Sequence, residues 1–481
     1  MSLKHTVSGI AVTATLVAVG GVLLGVATTG MEDPDLDDRI AQPVDDDRPP
    51  VVAKASSTED GPDEQEQTEQ RLAAPAAPRF RVRLPSHTKD RYQALALYFR
   101  SSIFAQPSKA YDVIGIARRG ARIPSSGRVN GSGCDKGRWY KVQGGGYACT
   151  SRGFLVKSKP GKLRLHHSLP NLKKLLPHRY GKVKRKGAER LFRIPTVEED
   201  KLIAKAASRD GGWPEVVEKS MKGIYFIAID HEEKSKGRAF YCTVRGRYVR
   251  KEDVDLRTPP PMRGRRLGKR DKLPLAFVFD EDRPLYELRE GKLRRVGVAE
   301  KHARFRPRVT ITHGKRRLLQ TPRGLYVDRD HVRLARAVKR PEEIGKGSRW
   351  IHVDLSQQTL VAYEGDRPVF ATLVSSGKSG FEPPIGVFQI HKKYISTTMN
   401  GPDPDDGWYE VEEVPWTMYY WESYALHGTY WHNDFGKSRS HGCTNIAPAD
   451  AKWLFYWTEP KVPYGWHARE DKGTKVYFTR S

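Results

Sequence analysis

Cysteine is scarce in this chain: four in 481 residues, with no Cys-x-x-Cys pair among them. That absence removes the paired-thiol sites that hold zinc in most small metal modules. No cysteine closely follows the first apolar stretch, so a bacterial lipid anchor is not indicated. Nothing resembles a nucleic-acid module, and no nucleic-acid partner is expected despite the basic composition. One segment, Met31 to Gln70, lacks aromatic side chains altogether and carries fourteen Asp or Glu against three Lys or Arg. It cannot bury enough apolar surface to fold, and it predicts an extended acidic linker.

Ahead of that linker, Gly9 to Ala27 has no charge and is rich in Val, Ala, Leu and Gly. It predicts an export signal or, with slight preference, an uncleaved membrane anchor, and so a periplasmic or envelope location. The linker's net charge of −11, with Lys4 also set aside, leaves +37 on the remainder of a chain whose total is +27. Runs such as Lys182-Val-Lys-Arg-Lys186 and Arg263-Gly-Arg-Arg-Leu-Gly-Lys-Arg270 suit anionic envelope polymers or lipid headgroups, or simply a solvated surface.

The chemistry concentrates near the C-terminus. Cys443 follows His427 by sixteen residues and His441 by two. A thiol attacks a carbonyl as thiolate, which calls for an imidazole to take the proton and backbone donors to hold the oxyanion. Gly442 permits an unusual backbone angle beside the sulfur, and Ala447-Pro448-Ala-Asp450 reads as a helix start whose dipole is expected to lower the thiol pKa. Two plainer readings remain: a buried structural cysteine, and a zinc site built from His427, His432, His441 and Cys443.

Ser440-His-Gly-Cys-Thr-Asn445, with His427-Gly428 before it, resembles the signature of the L,D-transpeptidase (YkuD-type) family. Ile351-His-Val-Asp-Leu-Ser-Gln-Gln-Thr-Leu-Val-Ala-Tyr-Glu-Gly365 resembles the opening hairpin of that domain. Val374-Ser-Ser-Gly-Lys378 and Pro384-Ile-Gly386-Val-Phe388 resemble its middle strands. The resemblance implies a β-sandwich with a few helices, no cofactor and no metal. It makes Cys443 the nucleophile, His427 the proton carrier oriented partly by the Gly428 carbonyl, and His441, Ser440, Gly442 and Asn445 supporting residues. The family commonly carries arginine where this chain has Asn445. The implied reaction joins peptidoglycan stem peptides through a thioester with release of D-alanine. A carboxypeptidase or crosslink hydrolase using the same site, and a non-catalytic wall-binding scaffold, are the alternatives.

Between linker and catalytic domain the motif Thr-x-Arg-Gly-x-x-Val occurs three times, at Thr150–Val156, Thr243–Val249 and Thr321–Val327. Each copy follows a β-like run, which predicts a repeated small barrel. The first resembles a bacterial SH3-like domain. The expected organisation is therefore 1–30 signal or anchor, 31–84 linker, SH3-like units at 85–160, 161–260 and 261–340, and 346–481 catalytic domain, mostly β throughout. A helix over Val197–Ala206 is expected inside the second unit. Cys134 and Cys149 flank a hairpin-like stretch and can pair outside the cytosol, although Cys242 leaves the pairing open. Residues Ser396 to Ser423, with Gly401-Pro-Asp-Pro-Asp-Asp-Gly407 and many aromatics, read as an interruption of the strand pattern, either a lid or core packing.

Overall fold

The computed structural model describes residues 70–72, 91–161, 169–209 and 211–480. The apolar N-terminal segment and most of the acidic linker lie outside these residues. Among the described residues the chain is mostly β, with two α-helices, and no helix there is long and apolar enough to cross a membrane.

The C-terminal part is a sandwich. Arg349–Asp354, Thr359–Glu364 and Arg367–Ser375 form an antiparallel meander, and the last long strand, Lys475–Thr479, returns parallel to the first. Thr359–Glu364 is apolar at almost every position and is buried on both faces, as a central strand requires. Arg367–Ser375 then changes partners: its end pairs through Val374 and Ser375 with Ile446 and Asn445. That switch opens the second sheet, in which Thr444–Ile446 runs parallel to Tyr424–Gly428 and the hairpin Lys392–Asp403/Gly407–Trp421 follows. Helix Pro448–Trp457, with proline at its first position, packs Ala451, Leu454 and Phe455 into the same core as Ile351, Val374, Met418 and Phe478.

The strand pattern is not interrupted over Ser396–Ser423. Two long strands run through it, joined at Asp403–Gly407, because the Asp403 side chain accepts the Asp405 and Asp406 N–H groups at 2.9 and 2.8 Å and Gly407 takes φ 76°. A register shift between Thr397 and Met399, opposite Glu413 at φ 50°, kinks the hairpin. Trp416 and Tyr420 from this hairpin are core residues, whereas Trp408 is exposed.

The N-terminal segments are joined to this sandwich through strands. Val113–Ala117 pairs with Ala468–Glu470, Ile224–Ser235 runs parallel to Gly407–Trp421, and Arg265–Arg266 pairs with Ala371 and Phe370. The first segment's Ala94, Ile103 and Phe154 belong to the same apolar cluster as the sandwich core. All three copies of the repeated motif turn on a left-handed glycine, at Gly153, Gly246 and Gly324. In the second and third, Thr243 and Thr321 donate their N–H to the carbonyls of Arg247 and Leu325, each at 2.7 Å. The expected helix spans Val197–Ala207 and starts on a capping box of Thr196 and Glu199. Cys134 and Cys149 form a disulfide, leaving Cys242 and Cys443 free.

Both basic runs are partly engaged within the fold. Arg185 pairs with Asp253 and Glu189, and Lys184 lies 3.8 Å from Asp255. Arg263 is buried against the Pro260 and Met262 carbonyls, and Arg265 meets Asp271 at 2.9 Å.

Candidate active site

Cys443 occupies the position just before Thr444–Ile446, and His427 is the fourth residue of Tyr424–Gly428. The parallel register sets Leu426 against Thr444 and His427 against Asn445. His427 thus shares a face with its partner Asn445, and Cys443 stands in the bend two residues before Asn445, where the chain enters this strand.

His427 is 2% exposed. Its Nδ1 lies 3.4 Å from the Gly428 carbonyl oxygen and 3.4 Å from Thr429 Oγ1. A proton on Nδ1 given to that carbonyl leaves Nε2 as the free base. Burial holds the imidazole down to about 4, against the smaller upward pull of the Gly428 carbonyl. His427 is therefore neutral at physiological pH. Trp431 covers its ring, with centroids 5.7 Å apart.

The thiol does not behave as the helix-dipole argument expected. Burial pushes Cys443 up to about 11, with the Ala425 N–H pulling more weakly the other way, and Sγ donates to the Ser423 carbonyl at 3.7 Å. Desolvation of a thiolate outweighs a helix terminus whose first position lies five residues downstream. At rest, both the Cys443 thiol and the His427 imidazole are neutral.

The remaining motif residues shape the turn. Ser440 Oγ donates to the Cys443 carbonyl at 2.5 Å and accepts the Gly442 N–H at 3.1 Å, closing a small ring around the nucleophile. Backbone bonds from Arg439 and Ser440 to the Ser376 carbonyl anchor that ring to the end of Arg367–Ser375. Gly442 has φ 128°, and a Cβ there would stand 2.9 Å from the Tyr424 ring. Only glycine fits both demands.

Asn445 does not reach the thiol. Its amide faces His432 Nε2 at 2.9 Å. His432 Nδ1 accepts the Asp434 N–H, so a neutral ring carries its proton on Nε2, and the Asn445 oxygen is the atom that belongs opposite it. That orientation also satisfies the buried Oδ1, which otherwise has no partner. His441 points elsewhere: it stacks flat on Tyr409 at 4.9 Å, and its Nε2 is 2.7 Å from Asp403 Oδ2. The ring nitrogen is not aimed squarely at that oxygen, so the contact is close without being a well-formed hydrogen bond. Burial raises the Asp403 carboxyl, but the Asp405 and Asp406 N–H groups and His441 together outweigh it and hold the group ionised. His432 and His441 thus serve different neighbours, and among the described residues no three His, Cys, Asp or Glu side chains gather at metal-ligand spacing.

Residues 348–477 match the profile of the YkuD family, described as the L,D-transpeptidase catalytic domain. This segment is a YkuD domain. The chain is also similar to solved structures of L,D-transpeptidases. One from Stackebrandtia nassauensis is 25% identical over 28% of this chain and 57% of its own, with a TM-score of 0.20. A mutant from Enterococcus faecium is 24% identical over 30% and 55%, with a TM-score of 0.23. The NMR structure of the Enterococcus faecium catalytic domain is 28% identical over 28% of this chain and 100% of its own, with a TM-score of 0.24. The chain thus spans little more than half the length of the first two. No curated protein matches it.

Several residues of the YkuD site escaped the sequence reading. Thr429 and Trp431 touch the His427 ring, Asp403 and Tyr409 hold His441, and Ser423 and Ala425 face the sulfur. Thr429 and Trp431 lie close to His427 in sequence and were findable there. Asp403 and Tyr409 reach His441 only because the long hairpin folds back.

Proposed function

We propose that this protein is an exported L,D-transpeptidase that acts on peptidoglycan stem peptides through a thioester on Cys443. One observation carries most of the weight: in the segment that matches the YkuD family, a buried imidazole lies on one of two paired parallel strands and a free thiol at the entrance to the other. Cys443 attacks the carbonyl that links the L-centre of a diaminopimelate residue to terminal D-alanine. His427 Nε2 takes the thiol proton as the C–S bond forms. The C–N bond then breaks, the proton passes to the departing amine, and D-alanine leaves. An amine from a second stem peptide attacks the thioester, gives its proton to His427, and returns the thiol.

A neutral pair favours moving the proton during attack, because a resting thiolate is costly where the half-buried sulfur is partly stripped of water. At the Gly442–Cys443 turn the Gly442 N–H is taken by Ser440 Oγ, which leaves the Cys443 backbone N–H as the candidate to hold the oxyanion, a donor worth about 3 kcal/mol in comparable sites. Ser440 and Gly442 fix that turn, Asn445 fixes His432 beside His427, and His441 with Asp403 forms the charged wall of the site.

The Cys134–Cys149 disulfide supports work in an oxidising compartment, in keeping with an apolar N-terminal export segment. The three N-terminal segments are SH3-like units in this account, and anionic envelope polymers are secondary partners through basic side chains not already paired. The test is turnover of a disaccharide-tetrapeptide, followed by chromatography of products. Cys443→Ala and His427→Gln are expected to lose both D-alanine release and crosslinked product. A fully active Cys443→Ala enzyme refutes the nucleophile assignment.

A further inference from the structure

The YkuD sandwich does not build its active-site wall alone. The segment from Arg179 to Arg257 lends it a strand: Ile224, Tyr225 and Phe226 run parallel to Tyr409, Glu410 and Val411 of the long hairpin. The approach is close. Gly223 has φ 142°, and a Cβ there would collide with the Trp408 carbonyl oxygen, so the turn into this strand rests directly on the hairpin backbone.

Two routes lead from that strand to the two histidines. Tyr409, opposite Ile224, is the ring stacked on His441. Phe226 lies 6.0 Å from Trp431 and 6.0 Å from Tyr430, and Trp431 covers His427. Tyr180, from the neighbouring strand Arg179–Val183, stacks on Tyr430 at 4.1 Å and donates its hydroxyl to the Glu413 carbonyl at 2.7 Å. Phe226, Tyr180, Tyr430, Val411 and Val414 are one buried cluster.

Charges point the same way. The hairpin carries Glu410 and Glu412 on the side that meets this segment. Glu410 pairs with Arg190 and Lys219 at 2.5 Å each, and Glu412 accepts the Ala228 N–H at 3.0 Å. A sandwich standing alone would leave these carboxylates and the apolar patch between them without partners. The surface is built to be covered by this segment of the same chain.

We infer that Phe226 is a positioning residue of the active site, holding Trp431 over His427 so that the base stays dry and in one orientation, with the segment Arg179–Arg257 acting as a structural part of the catalytic unit. The inference builds on His427 being the base in the proposed function. His432 is the titratable group that bears on His427, while Glu412 and Glu413 bear on Tyr430. Shortening Phe226 loosens Trp431 and lets water reach the imidazole. Its pKa then climbs from about 4 toward the ordinary 6.5.

The test uses the full chain with labelled histidines, following the His427 ring by NMR titration and identifying its signal with His427→Gln. The series Phe226→Leu, Phe226→Val and Phe226→Ala is expected to raise the His427 pKa progressively, by at least one unit at the alanine. Over the same series kcat falls, about tenfold or more at the alanine, while KM stays within about threefold. Any folded member of the series suffices. Phe240→Ala is the control: Phe240 is buried in the same segment but in a separate cluster with Leu191 and Ile203. It is expected to lower the melting temperature and leave the His427 titration unmoved. A flat Phe226 series, or a Phe240→Ala variant that shifts His427 equally, overturns the inference. A wild-type protein inactive on stem peptides would count against the proposed function, while the titration would still decide the positioning role.

Discussion

Replacing Glu413 by glutamine should strand a buried guanidinium and cost the fold about 3–5 kcal/mol. The carboxylate is 1% exposed. It accepts two bonds from Arg118 at 2.8 and 2.9 Å and one from Ser396 Oγ at 2.5 Å. Burial alone would raise its pKa, yet Arg118 outweighs that, joined by His467 and His178 only once acid protonates them, and the carboxyl is held near 2 against the usual 4.5. A difference of that size corresponds to about 3 kcal/mol of stability. The folded value lies below the unfolded one, so this contribution is present above about pH 4.5 and fades as pH falls toward 2.

The arginine side of the pair behaves differently. Burial lowers the Arg118 pKa even with Glu413 beside it. A guanidinium stranded by Glu413→Gln therefore dominates the loss, which should be about 3–5 kcal/mol. Arg118→Met combined with Glu413→Gln removes the stranded charge and should recover most of it. Urea unfolding at pH 7, followed by tryptophan fluorescence, measures both variants. A single variant within about 1 kcal/mol of wild type, or a double variant no more stable than the single, refutes the reasoning.

Gly442→Ala forces a side chain onto φ 128° and into the Tyr424 ring; turnover should fall by about a hundredfold or more, and a variant within twofold of wild type contradicts the geometry. Asp403→Asn removes the charge facing His441 and, at about 1.5 kcal/mol for a charged contact, should slow turnover roughly tenfold with little change in melting temperature. Because burial puts the resting thiol near 11, iodoacetamide should modify Cys443 slowly at pH 7. The rate should climb about tenfold per pH unit well past pH 9, as intact mass against time would show; a plateau near pH 7 would mean a thiol already ionised.

The proposed pair Cys443 and His427 could be picked out because both sit in one short stretch, His427 to Asn445, and strand pairing turns that spacing into neighbouring strands. The helix from Val197 and the proline-led helix at Pro448 were readable for the same reason: both are local signals. What could not be read depends on distant partners. Asp403 lay in a Gly-Pro-Asp-Pro stretch read as an interruption of the strand pattern, and only the hairpin brings it to His441. Phe226 looked like any residue of an apolar strand, yet it lies against Trp431. The thiol pKa was expected to fall because the helix start is visible in sequence, whereas the burial that raises it appears only once the strands are packed. The basic runs looked free for the same reason, since the acids that pair with Arg185 and Arg265 become neighbours only on folding.

The central claim is that Cys443 carries the acyl group, and intact mass spectrometry of the purified chain with a disaccharide-tetrapeptide tests it most directly. A protein adduct with the mass of the donor less D-alanine, absent in Cys443→Ala and discharged into a crosslinked dimer when an acceptor stem peptide is added, is the predicted result. Product formed without any Cys443 adduct, or an adduct that persists in Cys443→Ala, would contradict it.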